Sequence, residues 1–428
     1  MRNPFPAVLA AAACAPMAYA FCGFYVAQEP GSLFNHSSKV VLVRDGDHTV
    51  LTMANDYQGD PEAFGLVVPV PQEITPDMVK IGDRAMIDKL DQYTIPRLAE
   101  YWDPDPCPEP MKSARGFGAR MAPMAAAPME MAAGSAARDE DYGVTVEQAY
   151  SLEEYDIVVI QARDGAGLEQ WLAKEGYRIP DGASSVLQSY IRQNMHFFLA
   201  KIDLSAQKEL GVKWPRPLRV AYDSPKFMLP IRLGTVNADG AQDLLVFALT
   251  KGGRVETTNY RTARMPTDLN VPEYIADGGN FATFYTATFD RKVARDAMSA
   301  VYLEYAWPIS VQCDPCSGEQ LSGAELQALG ASWATDYHGG VEGGFVTRLH
   351  VRYDRAHFPE DLVFQETADA EPWQVRYVVN HAFTGDTRCA EGRRYELELL
   401  ERRADEVANL ARLTGWSSSD IRTFVPTR

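Results

Sequence analysis

SKVVLVRDGDHTVLTMANDYQGDPEAFGLVVPVP, residues 38–71, is the densest apolar stretch of the chain, and its punctuation sets the fold class. Two β-rich runs, residues 40–43 and 49–54, flank Asp45-Gly46, a pair that favours a tight hairpin. Gln58-Gly59-Asp60-Pro61 marks a second turn, and residues 64–70 read as a third strand stopped by Pro69 and Pro71. Three strands with an apolar face nucleate a domain where a lone hairpin is marginal. Outward from this stretch, further β runs alternate with separate helical patterns. The expectation is an α+β fold of mixed, mainly antiparallel β-sheets with peripheral helices, in two or three subdomains.

Composition narrows the partners. Against 41 basic residues stand 58 acidic ones, a formal charge of -17 and a pI near 4.9. Nucleic acid and anionic lipid surfaces, which need clustered Lys and Arg, are excluded as general partners. Residues 1–20 carry Arg2, a short apolar core at 8–13 and Ala18-Tyr19-Ala20. This is the pattern of a secretory signal peptide cleaved after Ala20. The core is too short to span a bilayer, and no later stretch reaches about eighteen apolar residues, so no transmembrane segment is expected. A lipoprotein signal fits less well, because Ala11 stands where a larger aliphatic residue precedes Cys14, and Phe21 before Cys22 is bulky. The destination read here is the periplasm or cell surface. Cleavage removes Cys14 and leaves five of six cysteines: Cys22, Cys107, Cys313, Cys316 and Cys389. An oxidising compartment makes all five disulfide candidates, and the odd number leaves one over.

Along the chain, residues 21–107 form a first α+β domain. It includes a helix over 85–101, with Met86, Leu90, Tyr93 and Leu98 at helical spacing and a kink at Pro96. Residues 108–143 are rich in Met, Ala, Gly and Pro and read as a disordered linker, with too little large apolar surface to offset ordering entropy. Their clustered methionines (Met111, Met121, Met124, Met129, Met131) would suit Cu(I), but no His or Cys supports a metal there. Residues 144–310 form a central α+β domain, in which the aromatic run 281–307 reads as β. Residues 311–428 add a β segment and a helix over 395–414 packing on the central domain. Its apolar stripe is Leu397, Leu400, Ala404, Val407 and Ala411, and Gly415 is its stop.

Several segments together resemble one family: FCGFYVA at 21–27, TVLTMANDYQGD at 49–60, FMLPIRLGTVNADG at 227–240, VETTNYRT at 255–262, CDPC at 313–316, RLHVRYD at 348–354 and FPEDLVFQET at 358–367. The chain is similar over nearly all its mature length, the Met/Ala/Pro linker excepted, to the bacterial domain-of-unknown-function family 2330. That resemblance implies an exported bacterial protein of a single architecture and brings no reaction, substrate or catalytic residue.

Two local features could carry chemistry. Cys313-Asp314-Pro315-Cys316 has the C-x-P-C spacing of thiol–disulfide oxidoreductases, in which a helix N-terminus activates the first thiol. Here the nearest helix start is Ser322 with Glu325 as a capping box, six residues beyond Cys316. A bridge inside C-x-x-C constrains the unfolded chain by roughly 2 kcal/mol, whereas one such as Cys107 to Cys389 would give over about 5. Structural disulfides are therefore favoured over redox chemistry, and zinc lacks a second ligand pair. The other feature is the alternating strand FVTRLHVRY at 345–353, which puts Arg348, His350 and Arg352 on one face. They could bind a carboxylate, phosphate or acidic glycan, or pair with acids of a neighbouring strand such as Glu360, Asp361 or Glu366. The other histidines are scattered, and no Walker loop, nucleophile elbow or Rossmann fingerprint is present.

The reading that results is an exported, non-enzymatic binding or structural module of the envelope, with a protein or glycan partner and no cofactor or metal. The rival is a thiol–disulfide exchange protein with Cys313 as nucleophile and Cys316 as resolving thiol. A hydrolase whose site assembles from separate segments is the third.

Overall fold

The computed structural model describes residues 24–27, 34–58, 64–107, 142–177, 182–210, 215–236, 238, 240–311, 313–337 and 340–426. The signal peptide, Cys22, the second turn at 59–63 and residues 108–141 of the Met-rich linker lie outside them. In chain order the strands are β1 Phe24–Ala27, β2 Phe34–Asp45, β3 His48–Gln58, β4 Phe64–Val70, β5 Val79–Ile81, β6 Arg97–Trp102, β7 Val144–Leu152, β8 Tyr155–Ala162, β9 His196–Ile202, β10 Leu218–Asp223 and β11 Met228–Leu229. There follow β12 Gln242–Thr250, β13 Val255–Thr257, β14 Arg261–Arg264, β15 Leu269–Asn270, β16 Ala300–Pro308, β17 Thr335–Tyr337, β18 Gly340–Glu342, β19 Phe345–Tyr353, β20 Leu362–Glu366, β21 Trp373–Gln374 and β22 Arg376–His381. The helices are α1 Arg84–Thr94, α2 Gly165–Lys174, α3 Ala183–Ile191, α4 Leu204–Glu209, α5 Asn280–Arg295, α6 Gly323–Leu329, α7 Ala390–Thr414 and α8 Ser418–Arg422.

The hairpin at Asp45-Gly46 forms as expected: Asp45 pairs with His48 across Gly46 and Asp47, and Gly46 takes φ +58°. Its two strands lie inside a nine-stranded sheet of order β14-β16-β19-β12-β2-β3-β10-β5, with β21 also on β16. β4, the third strand of the opening stretch, does not join them. It crosses to a five-stranded sheet, β1-β4-β9-β8-β7. The strand pairs are antiparallel except β2–β12, β14–β16, β15–β22 and β6–β22. The architecture is α+β.

Alternation explains the layering. Val40 and Leu42 of β2 enter the core between the two sheets, with Leu66 and Val68 of β4 and Phe198 and Ala200 of β9. Val41 and Val43 point the other way, under Ile87, Leu90 and Tyr93 of α1 and Leu326 and Leu329 of α6. The back of the five-stranded sheet is covered by Leu168, Trp171 and Leu172 of α2 and Leu187 and Tyr190 of α3. At the far edge of the large sheet, α5, α7 and α8 close a fourth core with Ala263, Ala300 and Tyr302. Strands buried on both faces read as near-continuous apolar runs, and that is the texture of residues 38–71.

Three expectations are corrected. The helix expected over 85–101 ends at Thr94, and residues 97–102 are β6. Pro96 removes an amide donor and holds Ile95 extended, at φ -62° and ψ 145°. The first half of the run read as β over 281–307 is α5, because Phe281, Phe284, Tyr285, Thr288 and Phe289 recur at helical spacing. On α7 Val407 is buried as expected, but the rest of the buried stripe is Leu399, Arg403, Glu406, Leu410 and Leu413, while Leu397, Leu400 and Ala404 are exposed. Two charged residues inside the buried stripe concealed it.

Candidate functional site

β19 carries Arg348, His350 and Arg352 on the face away from the sandwich core, as alternation requires, with Leu349, Val351 and Tyr353 packed inward. The neighbouring strand β16 shows how they are held. Leu303 pairs with Leu349 and Tyr305 with Arg348, so Glu304 has no register partner. This β-bulge puts two successive side chains, Glu304 and Tyr305, on the outer face, while Val301, Leu303 and Ala306 stay in the inner core.

Glu304 is thereby placed between two cations. Its Oε2 accepts from Arg348 Nε at 2.6 Å, and its Oε1 lies 2.8 Å from His350 Nδ1 and accepts from Tyr285 Oη at 2.5 Å. Burial alone would raise the Glu304 carboxyl, but His350 and Arg348 outweigh it and hold it down to about 2. Burial likewise opposes charge on His350, yet Glu304 and Asp243 raise it to about 9. Further out, Arg352 grips Asp243 through Nε at 2.8 Å and Nη2 at 2.6 Å, and reaches Asp290 of α5 through Nη1 at 2.6 Å. Phe289, one turn along α5 from Tyr285, lies flat on His350, with ring centroids 3.7 Å apart. On the other side Arg348 Nη1 donates to Asp91 of α1, which also pairs with Lys39 of β2 at 2.8 Å. The result is a charged seam running from α1 across the sheet to α5.

The acids are thus Glu304, Asp243, Asp91 and Asp290, not Glu360, Asp361 or Glu366. Asp361 instead caps a separate buried pair, accepting from Tyr190 Oη at 2.6 Å and from Arg232 Nη2 at 2.9 Å. Of the seam's partners, Glu304 had the one readable signal: a lone acid inside VYLEYAW must be paired if that strand is buried. Asp91 and Asp290 sit on helices whose docking is not encoded locally.

The cysteine loop lies beside the seam. Cys313 and Cys316 are bonded to each other, with Cα atoms 5.0 Å apart; Cys313 is buried and Cys316 exposed. Arg97 Nη1 donates to the Pro315 carbonyl at 2.7 Å, Arg376 Nη1 to the Asp314 carbonyl at 3.0 Å, and Gln374 Nε2 to the same Asp314 oxygen. Arg97 also donates to the Tyr93 carbonyl at 2.7 Å and lies over the Tyr305 ring, so the residue beside Glu304 supports the loop as well. The capping box at Ser322 and Glu325 forms at the start of α6, six residues past Cys316. The other cysteine pair, Cys107 and Cys389, joins residues 282 apart and ties the segment after β6 to the N-cap of α7.

Among the described residues no group of three or more His, Cys, Asp or Glu side chains is arranged to hold a metal ion, and no helix is long and apolar enough to cross a membrane. Searches of curated proteins and of solved structures found no match. The family described as an uncharacterized protein conserved in bacteria (DUF2330) matches residues 16–365, a span that holds the seam and the cysteine loop and stops before α7. The chain belongs to this bacterial family.

Proposed function

We propose that this protein is exported and acts in the cell envelope as a non-enzymatic binding or structural module. The observation that carries this reading is the Cys107–Cys389 bond, which joins segments 282 residues apart and needs an oxidising compartment to persist. The internal neutralisation of Arg348, His350 and Arg352 supports its structural side, since a cation already held by two carboxylates offers little to a substrate or an anionic ligand. The test is fractionation of cells expressing the full chain, with alkylation of free thiols before any reductant. Processed protein outside the cytoplasm, with Cys107, Cys313, Cys316 and Cys389 unreactive, is expected. Unprocessed cytosolic protein with all four thiols reactive overturns the reading.

One observation favours a second reading, thiol–disulfide exchange: Cys316 is exposed on a loop whose other sulfur is buried. An external thiolate attacking Cys316 Sγ would form a mixed disulfide there and release the Cys313 thiolate. By microscopic reversibility the reduced pair attacks through Cys316, the reverse of the role read from the sequence, so Cys313→Ser leaves Cys316 without its resolving thiol. That variant must accumulate mixed disulfides through Cys316 if exchange occurs, and an empty trap removes this reading.

A further inference from the structure

We propose that the cleft between α5 and the C-terminal turn of α7 binds a small organic phosphate. The cleft encloses about 380 Å³. Four cations line it, Arg291, Lys292 and Arg295 from α5 and Arg412 from α7, and among the described residues no acid does. In a chain of net charge -17 this concentration of one sign is unusual. Lys292 is neutralised by Asp296 at 2.6 Å, but among the described residues Arg291, Arg295 and Arg412 have no carboxylate partner.

Two of the three guanidinia are set by neighbours at the helix ends. Arg291 Nε donates to the Arg412 carbonyl at 3.1 Å, which fixes one helix end against the other. Gly415, at φ +80° just past α7, makes room for it; a Cβ there would collide with Arg291 Nη1. Arg412 Nη2 donates to the Asn409 side chain at 3.0 Å, and among the described residues Arg295 has no ion-pair or hydrogen-bond partner. Planar, permanently charged forks converging on one cleft match the several oxygens of a phosphate better than a single carboxylate does.

The cleft wall supplies a second, independent observation. Thr288, on α5, is 1% exposed, and its Oγ1 has no hydrogen-bond partner among the described residues. A buried hydroxyl left unpaired costs free energy unless a ligand atom completes it. Beside it, Pro266, Leu269 and Leu413 give the cleft an apolar side, so the ligand carries a small apolar body as well as its phosphate. The bland role for these cations is to offset the negative ends of α5 and α7. That role explains neither the idle hydroxyl nor the apolar wall.

The site is independent of where the protein resides and of the seam, so it stands or falls separately from the proposed envelope role. Titration calorimetry at low salt with phenyl phosphate, inorganic phosphate and benzoate separates the chemistries. Phenyl phosphate is expected to bind tightest, with affinity falling as salt rises. Arg295→Ala with Arg412→Ala should weaken it by roughly tenfold or more without unfolding the chain, since both side chains are exposed. Thr288→Val should weaken binding while raising the melting temperature of the unliganded protein, because it removes an unpaired hydroxyl at constant shape. Absence of phenyl phosphate binding, binding unchanged in the double arginine variant, or benzoate binding as tightly as phenyl phosphate each overturns the proposal. So does an arginine variant that lowers the melting temperature but leaves affinity intact, the mark of a helix-end role alone.

Discussion

Glu304 and Arg348 meet at 2.6 Å across adjacent strands, although the pairing register gives Glu304 no opposite residue. The extra residue of the bulge turns an acid that strict alternation would separate from Tyr305 onto the same face as that tyrosine. Both charges lie out of water, with side-chain exposures of 0% for Glu304 and 5% for Arg348. Breaking such a pair from one side leaves a buried, uncompensated charge, which costs about 3–5 kcal/mol. Arg348→Ala should lose stability on that scale in urea unfolding. A loss under about 1 kcal/mol would mean that His350 and Tyr285 satisfy Glu304 without it.

His350 supplies the pH dependence of the same seam. Burial pulls its pKa down, but Glu304 and Asp243 carry it from 6.5 up to about 9. A histidine raised in the folded state contributes stability that is full below its unfolded value and disappears as pH rises through the folded one. Between pH 6.5 and about 9 the unfolding free energy should therefore fall, by up to about 3 kcal/mol. His350→Gln should flatten that window. If wild type and variant keep parallel profiles across it, the imidazole is not held charged by its two acids.

The seam was half legible in the sequence. Alternation in FVTRLHVRY correctly puts Arg348, His350 and Arg352 on one face, because strand geometry is local. Their partners depend on which strand lies beside β19 and on two helices that dock from residues 84–94 and 280–295, and neither follows from local pattern. The missed helix α5 shows a different limit. Its aromatics have high strand propensity, and only their spacing at Phe281, Phe284, Tyr285 and Phe289 argues helix. The crossing of β4 to the second sheet is a matter of topology: both faces of β2 and β4 are apolar, so the sequence does not say which neighbour each will take.

Glu406 is the seam's opposite, a buried acid without adequate compensation. It is 3% exposed on α7, and the nearest guanidinium nitrogen, Arg402 Nε, stands 3.6 Å away, too far for a hydrogen bond. Burial, reinforced by Glu273 and Asp103, outweighs Arg402 and Arg403 and raises its pKa from 4.5 to about 7. A carboxyl raised in the folded state carries no penalty below its unfolded pKa and the full penalty above its folded one. Glu406→Gln should therefore stabilise the protein by about 2–3 kcal/mol near pH 8 and by nothing near pH 4.5. Denaturant titrations at the two pH values decide it, and an equal effect at both would place the cause in packing.

The two disulfides should differ in what they contribute. On the chain-entropy account, closing the loop between Cys107 and Cys389 stabilises by about 5 kcal/mol, while the Cys313–Cys316 loop gives about 2. Cys389 is also the N-cap of α7, its Sγ accepting from Gly392 N at 3.0 Å, so a serine there keeps an acceptor in place. The loss in Cys107→Ser with Cys389→Ser thus reports the cross-link and not the cap. Denaturant midpoints of that pair should fall much further than those of Cys313→Ser with Cys316→Ser. The reverse order would show that the short loop, clamped by Arg97, Gln374 and Arg376 against the seam, organises the native state more than the long clasp does.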